Sequence, residues 1–410
     1  MSSIKDFFNG DQADNTKGIV HKNNLIKKSI MGYMAVRGQV TLAELAKELH
    51  ISVPTITKLV GELVREGVVG DLGKVETAGG RRPNVFGLTN TALYFAGVDI
   101  SRDSIRYVIC DLKNNIIKEH VDHDVILQDT PASLDDICRR INLFLDNSGI
   151  GRAKILGAGV CIVGRVNPTT GRSYKYFASE KQPLAEAIQS KIGMKVRLEN
   201  NTRARCFAEY SLRGDGQKKE KDILYLHLGR GVALGMVLGG KLYYGKSAFA
   251  GEFGHTPFFD NEIICSCGKK GCLETEVSGM AVESKISALI AQGRNTILCK
   301  GRGNKPIHVD EVIAAAKQED SLAIELIEEL GEKAGKSVAF LINIFNPETV
   351  IIGGNLAQAG DYLMLPLLSA VNKHSLNLVY KDTNFRLSQL GEYTGAQGAA
   401  MLMRNAVVGI

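Results

Sequence analysis

Between Gly251 and Glu274 the chain reads G-E-F-G-H-T-P-F-F-D-N-E-I-I-C-S-C-G-K-K-G-C-L-E, and this segment restricts the possible folds more than any other. One histidine, His255, precedes Cys265, Cys267 and Cys272, so three of the chain's eight cysteines fall close together. Thiolate and imidazole are the donors zinc prefers, and four of them fill a closed tetrahedral site. A Cys-x-Cys pair can chelate one ion. The glycines of Cys-Gly-x-x-Gly-Cys let the backbone turn tightly around it. The competing reading is a disulfide cluster or a set of unrelated surface thiols. Nothing marks the chain as secreted, which favours one structural zinc ion bound by His255, Cys265, Cys267 and Cys272. Glu252 and Glu274 bracket the loop. A metal-anchored loop ending in a carboxylate suits a pocket for a polar small molecule, because the anchor fixes the side chain's aim.

A length of 410 residues suggests two or three domains, and 44% hydrophobic with 23% charged residues is an ordinary globular balance. The formal charge of +6 is thinly spread and does not by itself imply nucleic acid. No stretch reaches the roughly eighteen apolar residues of a membrane span, and the N-terminus lacks the pattern of a secretory signal. Cys110, Cys138, Cys161, Cys206 and Cys299 are scattered, several of them within apolar runs. They read as buried thiols of a cytoplasmic protein.

The first ninety residues have their own logic. Residues 1–20 are polar and irregular. Leu25, Ile26, Ile30, Met34 and Val36 space an amphipathic helix over 22–36. In T-L-A-E-L-A-K-E-L-H, Thr41 and Glu44 form a capping box, and Leu42, Leu45, Ala46 and Leu49 line one face. A second short helix follows, with Ser52 as its N-cap and Gly67 as its stop. Two short helices joined by a tight turn read as helix-turn-helix. The apolar strands after them, flanking a glycine-rich tip, complete a winged helix-turn-helix. Its second helix would present Val53, Thr55, Ile56, Thr57 and Lys58 to the major groove of operator DNA. Arg81 and Arg82 in the wing can reach phosphates or the minor groove. A helical protein-interaction module with a basic loop is the blander alternative.

From Phe95 the pattern changes to an α/β arrangement. Three strands (F-A-G-V-D-I, I-R-Y-V-I-C-D, N-I-I-K-E-H) precede a helix near 133–147, an apolar strand through I-L-G-A-G-V-C-I-V-G and a helix near 183–192. K-V-R-L-E-N-N-T-R-A-R runs from strand into helix, and I-L-Y-L-H-L-G-R-G-V-A-L-G begins a second strand set. A long helix over 321–345 leads to the late strand E-T-V-I-I-G-G.

G-E-x-G-H followed by C-x-C-G-x-x-G-C-x-E resembles the signature of the ROK family (repressor, open reading frame, kinase). That family contains bacterial sugar kinases and sugar-responsive repressors. The resemblance covers essentially the whole chain. It implies a two-lobed actin-like ATPase or sugar-kinase fold behind the winged helix-turn-helix, a domain that the family's kinases lack. The expected divisions are 1–90 for DNA binding, 91–201 plus a returning C-terminal helix in 394–410 for the first lobe, and 202–393 for the second lobe with the zinc loop. Family repressors are dimers or tetramers on palindromic operators, so a homodimer or homotetramer is expected.

The resemblance also assigns roles. Gly164, Asn200, Asn201, Glu252, His255 and Glu274 match the family's sugar-contacting positions, implying a sugar or sugar-phosphate effector. In the kinases an Asn-Asp pair binds sugar hydroxyls, and its Asp takes the attacking hydroxyl's proton. That position holds Asn201 here, and an amide has no basic oxygen. The kinase phosphate loop, Asp-x-Gly-Gly-Thr, is replaced by Asp99, Ile100, Ser101, Arg102, Asp103 and Ser104. The second loop keeps Gly229, Gly231 and Gly235, but Arg230 stands where threonine is usual. Val163 replaces a proline before Gly164. The expectation is a sugar-responsive DNA-binding repressor with a degenerate, non-enzymatic kinase fold. The alternatives are an active ATP-dependent sugar kinase and a regulator whose effector is a phosphotransfer protein.

Overall fold

The computed structural model describes residues 18–74, 83–89, 93–212, 220–299 and 305–409. The chain divides into two compact units, one running to Ala204 and resuming at Glu392, the other Arg205–Gly391.

The first unit opens with α1 (Gly18–Arg37), β1 (Val40–Thr41), α2 (Leu42–Glu48) and α3 (Val53–Arg65), then β2 (Val69–Lys74) and β3 (Asn84–Leu88). The expected capping box is present: Glu44 N donates to Thr41 Oγ1 at 3.2 Å, and Thr41 N donates to Glu44 Oε2 at 2.7 Å. Helix α3 starts after Ser52 with Pro54 in its first turn, and Gly67 follows its end with a φ of 74°. The Ser52 hydroxyl makes no capping bond and instead meets Thr55 Oγ1 at 2.9 Å. Strands β1, β3 and β2 form a small antiparallel sheet, the wing's base. Leu25, expected on the apolar face of α1, is exposed; the buried apolar residues of α1 are Ile30, Met31 and Met34.

A five-stranded sheet follows, built from β4 (Tyr94–Ile100), β5 (Ile105–Asp111), β6 (Ile116–Asp122), β7 (Ile155–Ile162) and β10 (Val196–Asn200). Helices α4 (Pro131–Asp146) and α5 (Leu184–Ile192) cross over between parallel strands, and the short β8 (Val166–Asn167) and β9 (Arg172–Ser173) form a hairpin after β7. The sheet order is β10-β7-β4-β5-β6. Every residue of β4 and β7 is buried, as parallel strands covered on both faces require. Helix α6 (Asn201–Ser211) leaves the end of β10.

The second unit repeats this topology. Strands β11 (Ile223–Leu228), β12 (Val232–Leu238), β13 (Lys241–Leu242), β14 (Thr349–Gly353) and β15 (Asn384–Leu387) pair in the order β13-β12-β11-β14-β15. Helices α7 (Gly279–Ala291), α8 (Val309–Ala316), α9 (Ser321–Phe345), α10 (Asp361–His374) and α11 (Asn377–Asp382) lie between them in sequence. Helix α9 has the bounds its periodicity predicts, and the Asp320 carboxylate caps it by accepting from Ala323 N at 2.9 Å.

Helix α12 (Thr394–Val408) returns to the first unit. It lies so close to the sheet that a Cβ on Gly159 would meet the Ala399 carbonyl oxygen at 1.9 Å. Its residues Ala400, Met403, Val407 and Val408 join Phe95 and Val108 of the sheet, and Ile30, Met31 and Leu59 of the helix-turn-helix, in one continuous buried cluster. Cys110, Cys138, Cys161 and Cys206 are buried, as their apolar settings imply. Cys299 is exposed, against expectation, because it ends a short surface turn rather than a packed element. Among the described residues no helix is long and apolar enough to cross a membrane.

Candidate functional site

The four residues expected to bind metal converge. A single turn, Phe253–His255, brings His255 back towards the cysteine loop, and bridges Pro257–Cys272 and Ile264–Lys270 fold that loop on itself. Cys265 N donates to Lys269 O, and Gly268 N returns to Cys265 O, each at 2.8 Å. One donor atom from each of His255, Cys265, Cys267 and Cys272 lies within 4.8 Å of all the others. His255 Nδ1 is 3.4 Å from Cys265 Sγ, and Cys267 Sγ is 3.6 Å from Cys272 Sγ. Cys265 and Cys272 are buried and Cys267 is exposed. Burial, then hydrogen bonds with Cys267 and Cys265, push the Cys272 thiol up to about 12. A cation at the centre reverses that preference, since a coordinating thiol gives up its proton. Three sulfurs and an imidazole so arranged can hold one metal ion.

The other edge of His255 faces a carboxylate: its Nε2 is 3.9 Å from Glu252 Oε2. One ring nitrogen thus points to the thiols and the other to Glu252. Glu274 is held from both sides. Its Oε2 accepts from Val232 N at 3.1 Å, and its Oε1 accepts from Ser266 Oγ at 3.2 Å. Cys265 Sγ also donates to Oε1 at 3.8 Å, while Oε2 keeps a lone pair for a ligand. Glu252, His255 and Glu274 therefore belong to one loop system of the second unit, built around the His/Cys cluster. Ser266 was not identified from sequence; its position between two ligand cysteines is the signal that could have found it.

Gly164, Asn200 and Asn201 lie together in the first unit. Asn200 Nδ2 donates to the Gly164 carbonyl at 2.8 Å, and Asn200 Oδ1 accepts from Arg203 N at 3.0 Å, capping the first turn of α6. Asn201 begins that helix, half-buried. At the altered phosphate loop, Ser101 N donates to Ser104 O at 2.9 Å, and the Ser104 hydroxyl accepts from Arg106 Nη1 at 2.8 Å. That backbone N–H is engaged within the turn rather than turned outward. At the end of β11, the ring of His227 is stacked on Tyr225, with its Nδ1 sealed from solvent and without a partner. Burial first, and the charge of Arg205 second, hold this imidazole down at about 3.

On α3, Val53, Thr57 and Lys58 are exposed and Thr55 is half-buried. The assignment of Ile56 to the base-facing set is corrected: it is fully buried with Leu59, Val60 and Leu63, the i, i+3, i+4, i+7 stripe that faces the core. Arg81 and Arg82 lie outside the described residues. Sequence reading also missed Lys27, whose buried Nζ joins Glu62 at 3.0 Å and Glu66 at 2.9 Å and so ties α1 to α3.

Comparison with known proteins fits this two-part architecture. A profile of winged helix-turn-helix DNA-binding domains matches residues 23–69. The chain is 28% identical over 353 residues to the xylose repressor of Caldicellulosiruptor bescii, covering 86% of this chain and 88% of the repressor. It is also 28% identical over 317 residues to the glucokinase of Streptomyces coelicolor, which covers 75% of this chain and is itself 96% covered. The solved structure of a ROK family transcriptional regulator, a homologue of the Escherichia coli MLC protein, superposes with a TM-score of 0.78 at 24% identity. That likeness spans 94% of this chain and 97% of the regulator. The ROK family profile matches residues 95–406, most of the chain, and the chain belongs to the ROK family.

Proposed function

We propose that the protein is a sugar-responsive transcriptional repressor, in which a kinase fold without kinase chemistry reports on a sugar to a winged helix-turn-helix. The observation that carries this reading is Asn201 at the start of α6, in a unit whose sheet and C-terminal helix share a core with the DNA-binding module. An amide can donate to and accept from a hydroxyl but cannot take its proton during phosphoryl transfer. The engaged Ser101–Ser104 turn removes part of a phosphate cradle as well.

In this reading Gly164, Asn200, Asn201, Glu252, His255 and Glu274 are the sugar-contacting residues. Zinc, held by His255, Cys265, Cys267 and Cys272, is structural: it fixes the loop that aims Glu252 and Glu274. Zinc–sulfur bonds of about 2.3 Å set tetrahedral donors roughly 3.8 Å apart, compatible with the 3.4 and 3.6 Å donor pairs. Val53, Thr55, Thr57 and Lys58 read the operator, with Arg81 and Arg82 on phosphate or minor groove. The protein works in the cytoplasm as a homodimer or homotetramer.

Coupling between the two functions has a physical route within the first unit. The Ala204 carbonyl of α6 abuts Gly398 of α12, where a Cβ would stand 1.9 Å away. Helix α12 in turn packs against α1 through the shared core. A sugar that moves the start of α6 therefore presses on the helix that seats the DNA-binding module. Fluorescence anisotropy with duplex DNA from upstream of the protein's own gene tests this. D-xylose or D-glucose should change the affinity for that DNA, with no ADP released in the presence of ATP. Turnover at an ordinary kinase rate of about 1–100 per second would establish the kinase reading instead.

A further inference from the structure

We propose that Arg203 is the positioning residue that shapes the first unit's share of the sugar site, locking Asn200 and the Gly164 loop into one arrangement. This rests on the reading of Asn200 and Gly164 as sugar contacts.

Glu199 is the buried penultimate residue of β10 and Arg203 lies in the first turn of α6, with side chains only 1% and 5% exposed. Arg203 Nε donates to Glu199 Oε1 at 2.7 Å, and Arg203 Nη2 donates to the Val166 carbonyl at 2.7 Å. The backbone N–H of Arg203 donates to Asn200 Oδ1 at 3.0 Å, and the backbone N–H of Asn200 donates to Glu199 Oε1 at 2.8 Å. Asn200 Nδ2 then reaches the Gly164 carbonyl at 2.8 Å. The result is a closed circuit joining the end of β10, the start of α6 and the loop after β7. Gly164 has a φ of +103°, and the Lys175 stem packs where its Cβ would be, so this loop has little freedom to take another shape.

Two physical points favour orientation over bulk stability as the role of this pair. A buried ion pair is seldom a net gain over apolar residues of similar volume, because desolvation offsets the attraction. Its distinct contribution is directional. The guanidinium is a rigid fork, and here one edge takes a carboxylate while another nitrogen takes a carbonyl from a different segment. With these bonds made, the Asn200 amide retains one N–H and one oxygen lone pair, both aimed by the circuit. A hydroxyl that donates to one and a hydroxyl that accepts from the other fit that pair, the pattern of neighbouring hydroxyls on a sugar.

Two full-length variants test the proposal. R203K keeps the charge beside Glu199, but its single ammonium cannot reproduce the fork. The double variant E199L/R203M fills similar volume without charge and guards against simple misfolding. Backbone hydrogen exchange over 163–167 in ligand-free protein reads the positioning directly, and calorimetric titration with D-xylose and D-glucose reads its consequence. Exchange there should rise in both variants. Affinity for whichever sugar binds the wild type should fall on the order of tenfold or more, with the double variant's Tm close to wild type and R203K the milder of the two. Unchanged exchange in both variants overturns the proposal, as does raised exchange with unaltered sugar affinity. Raised exchange in a protein whose wild type binds neither sugar has a different signature: it overturns the sugar reading of the site, and Arg203's role towards a sugar with it.

Discussion

Gly231 is the space that Glu274 occupies: a Cβ at Gly231 would stand 2.4 Å from the Glu274 Oε2 atom. A glycine in a loop that resembles a kinase phosphate loop here admits a carboxylate instead. That carboxylate is fastened to the next backbone N–H, at Val232. A fixed negative charge at this spot repels phosphate and attracts hydroxyls.

Gly231→Ala should therefore displace Glu274 and weaken sugar binding by about 10–100-fold, since misplacing a contact by about an ångström is that costly. Metal content should not change, because no ligand residue is touched. Thermal-shift titration with D-xylose and D-glucose, beside metal analysis, checks both halves. Full sugar stabilisation in the variant would show that Glu274 has no part in binding.

The metal prediction is one zinc ion per chain in protein purified without chelator. Cys267→Ser should lower that content well below one, even though Cys267 is the exposed member of the four. Removing the ion should loosen the loop that holds Glu252 and Glu274, with a lower Tm and lost sugar response. Metal analysis near zero for the wild type would refute the assignment.

On α3, neighbouring residues should fail in different ways. Ile56→Ala empties a fully buried position and should destabilise the protein by about 2–5 kcal/mol. Thr57→Ala, at an exposed position whose hydroxyl bonds only the Val53 carbonyl at 2.8 Å, should leave Tm nearly unchanged. It should weaken binding to operator DNA more than to unrelated DNA. Denaturant unfolding and anisotropy at one fixed salt concentration separate the two effects.

This contrast also shows what the sequence made legible. The helix-turn-helix, the duplicated strand order, the 321–345 helix and the four-ligand cluster all follow from periodicity or spacing, which are local. Ile56 was misplaced by counting along α3 instead of around it, although its apolar stripe was already written in the sequence. Leu25 fits an amphipathic pattern, yet among the described residues it stands exposed, and periodicity does not say where a covering element ends. Lys27 on Glu62 and Glu66, and Arg203 on Val166, are pairings between distant segments. Composition and spacing carry no record of them.

His227 gives a pH prediction. Its proton is bound at about 3 in the folded protein, against 6.5 for an ordinary histidine, because burial and then Arg205 oppose the charge. The unfolded chain takes up that proton first as pH falls. Stability from this group is thus complete above about 6.5 and declines from there towards 3, by at most about 1.4 kcal/mol per pH unit. Relative to the wild type, His227→Phe should lose less Tm between pH 7 and pH 5. Parallel curves for the two proteins would contradict the assignment.

Asn201→Asp should not create a working kinase. The substitution restores a basic oxygen but leaves Ser101–Ser104 closed on itself and Glu274 fastened at Val232. A coupled ADP-release assay with D-glucose and ATP should show only marginal turnover. Activity at an ordinary kinase rate would mean that the base was the sole missing part.

Helix α12 bears on how the protein comes into being. The side chains that finish the core under the DNA-binding helices, Met403, Val407 and Val408, are added more than three hundred residues after Ile30 and Met31. While the ribosome works through both α/β sheets, the helix-turn-helix is already made but lacks the floor it rests on. A nascent or prematurely ended chain thus carries a reading helix with no fixed seat. Translation itself delays the moment at which a new molecule can occupy an operator, until the part that senses the sugar has also been built.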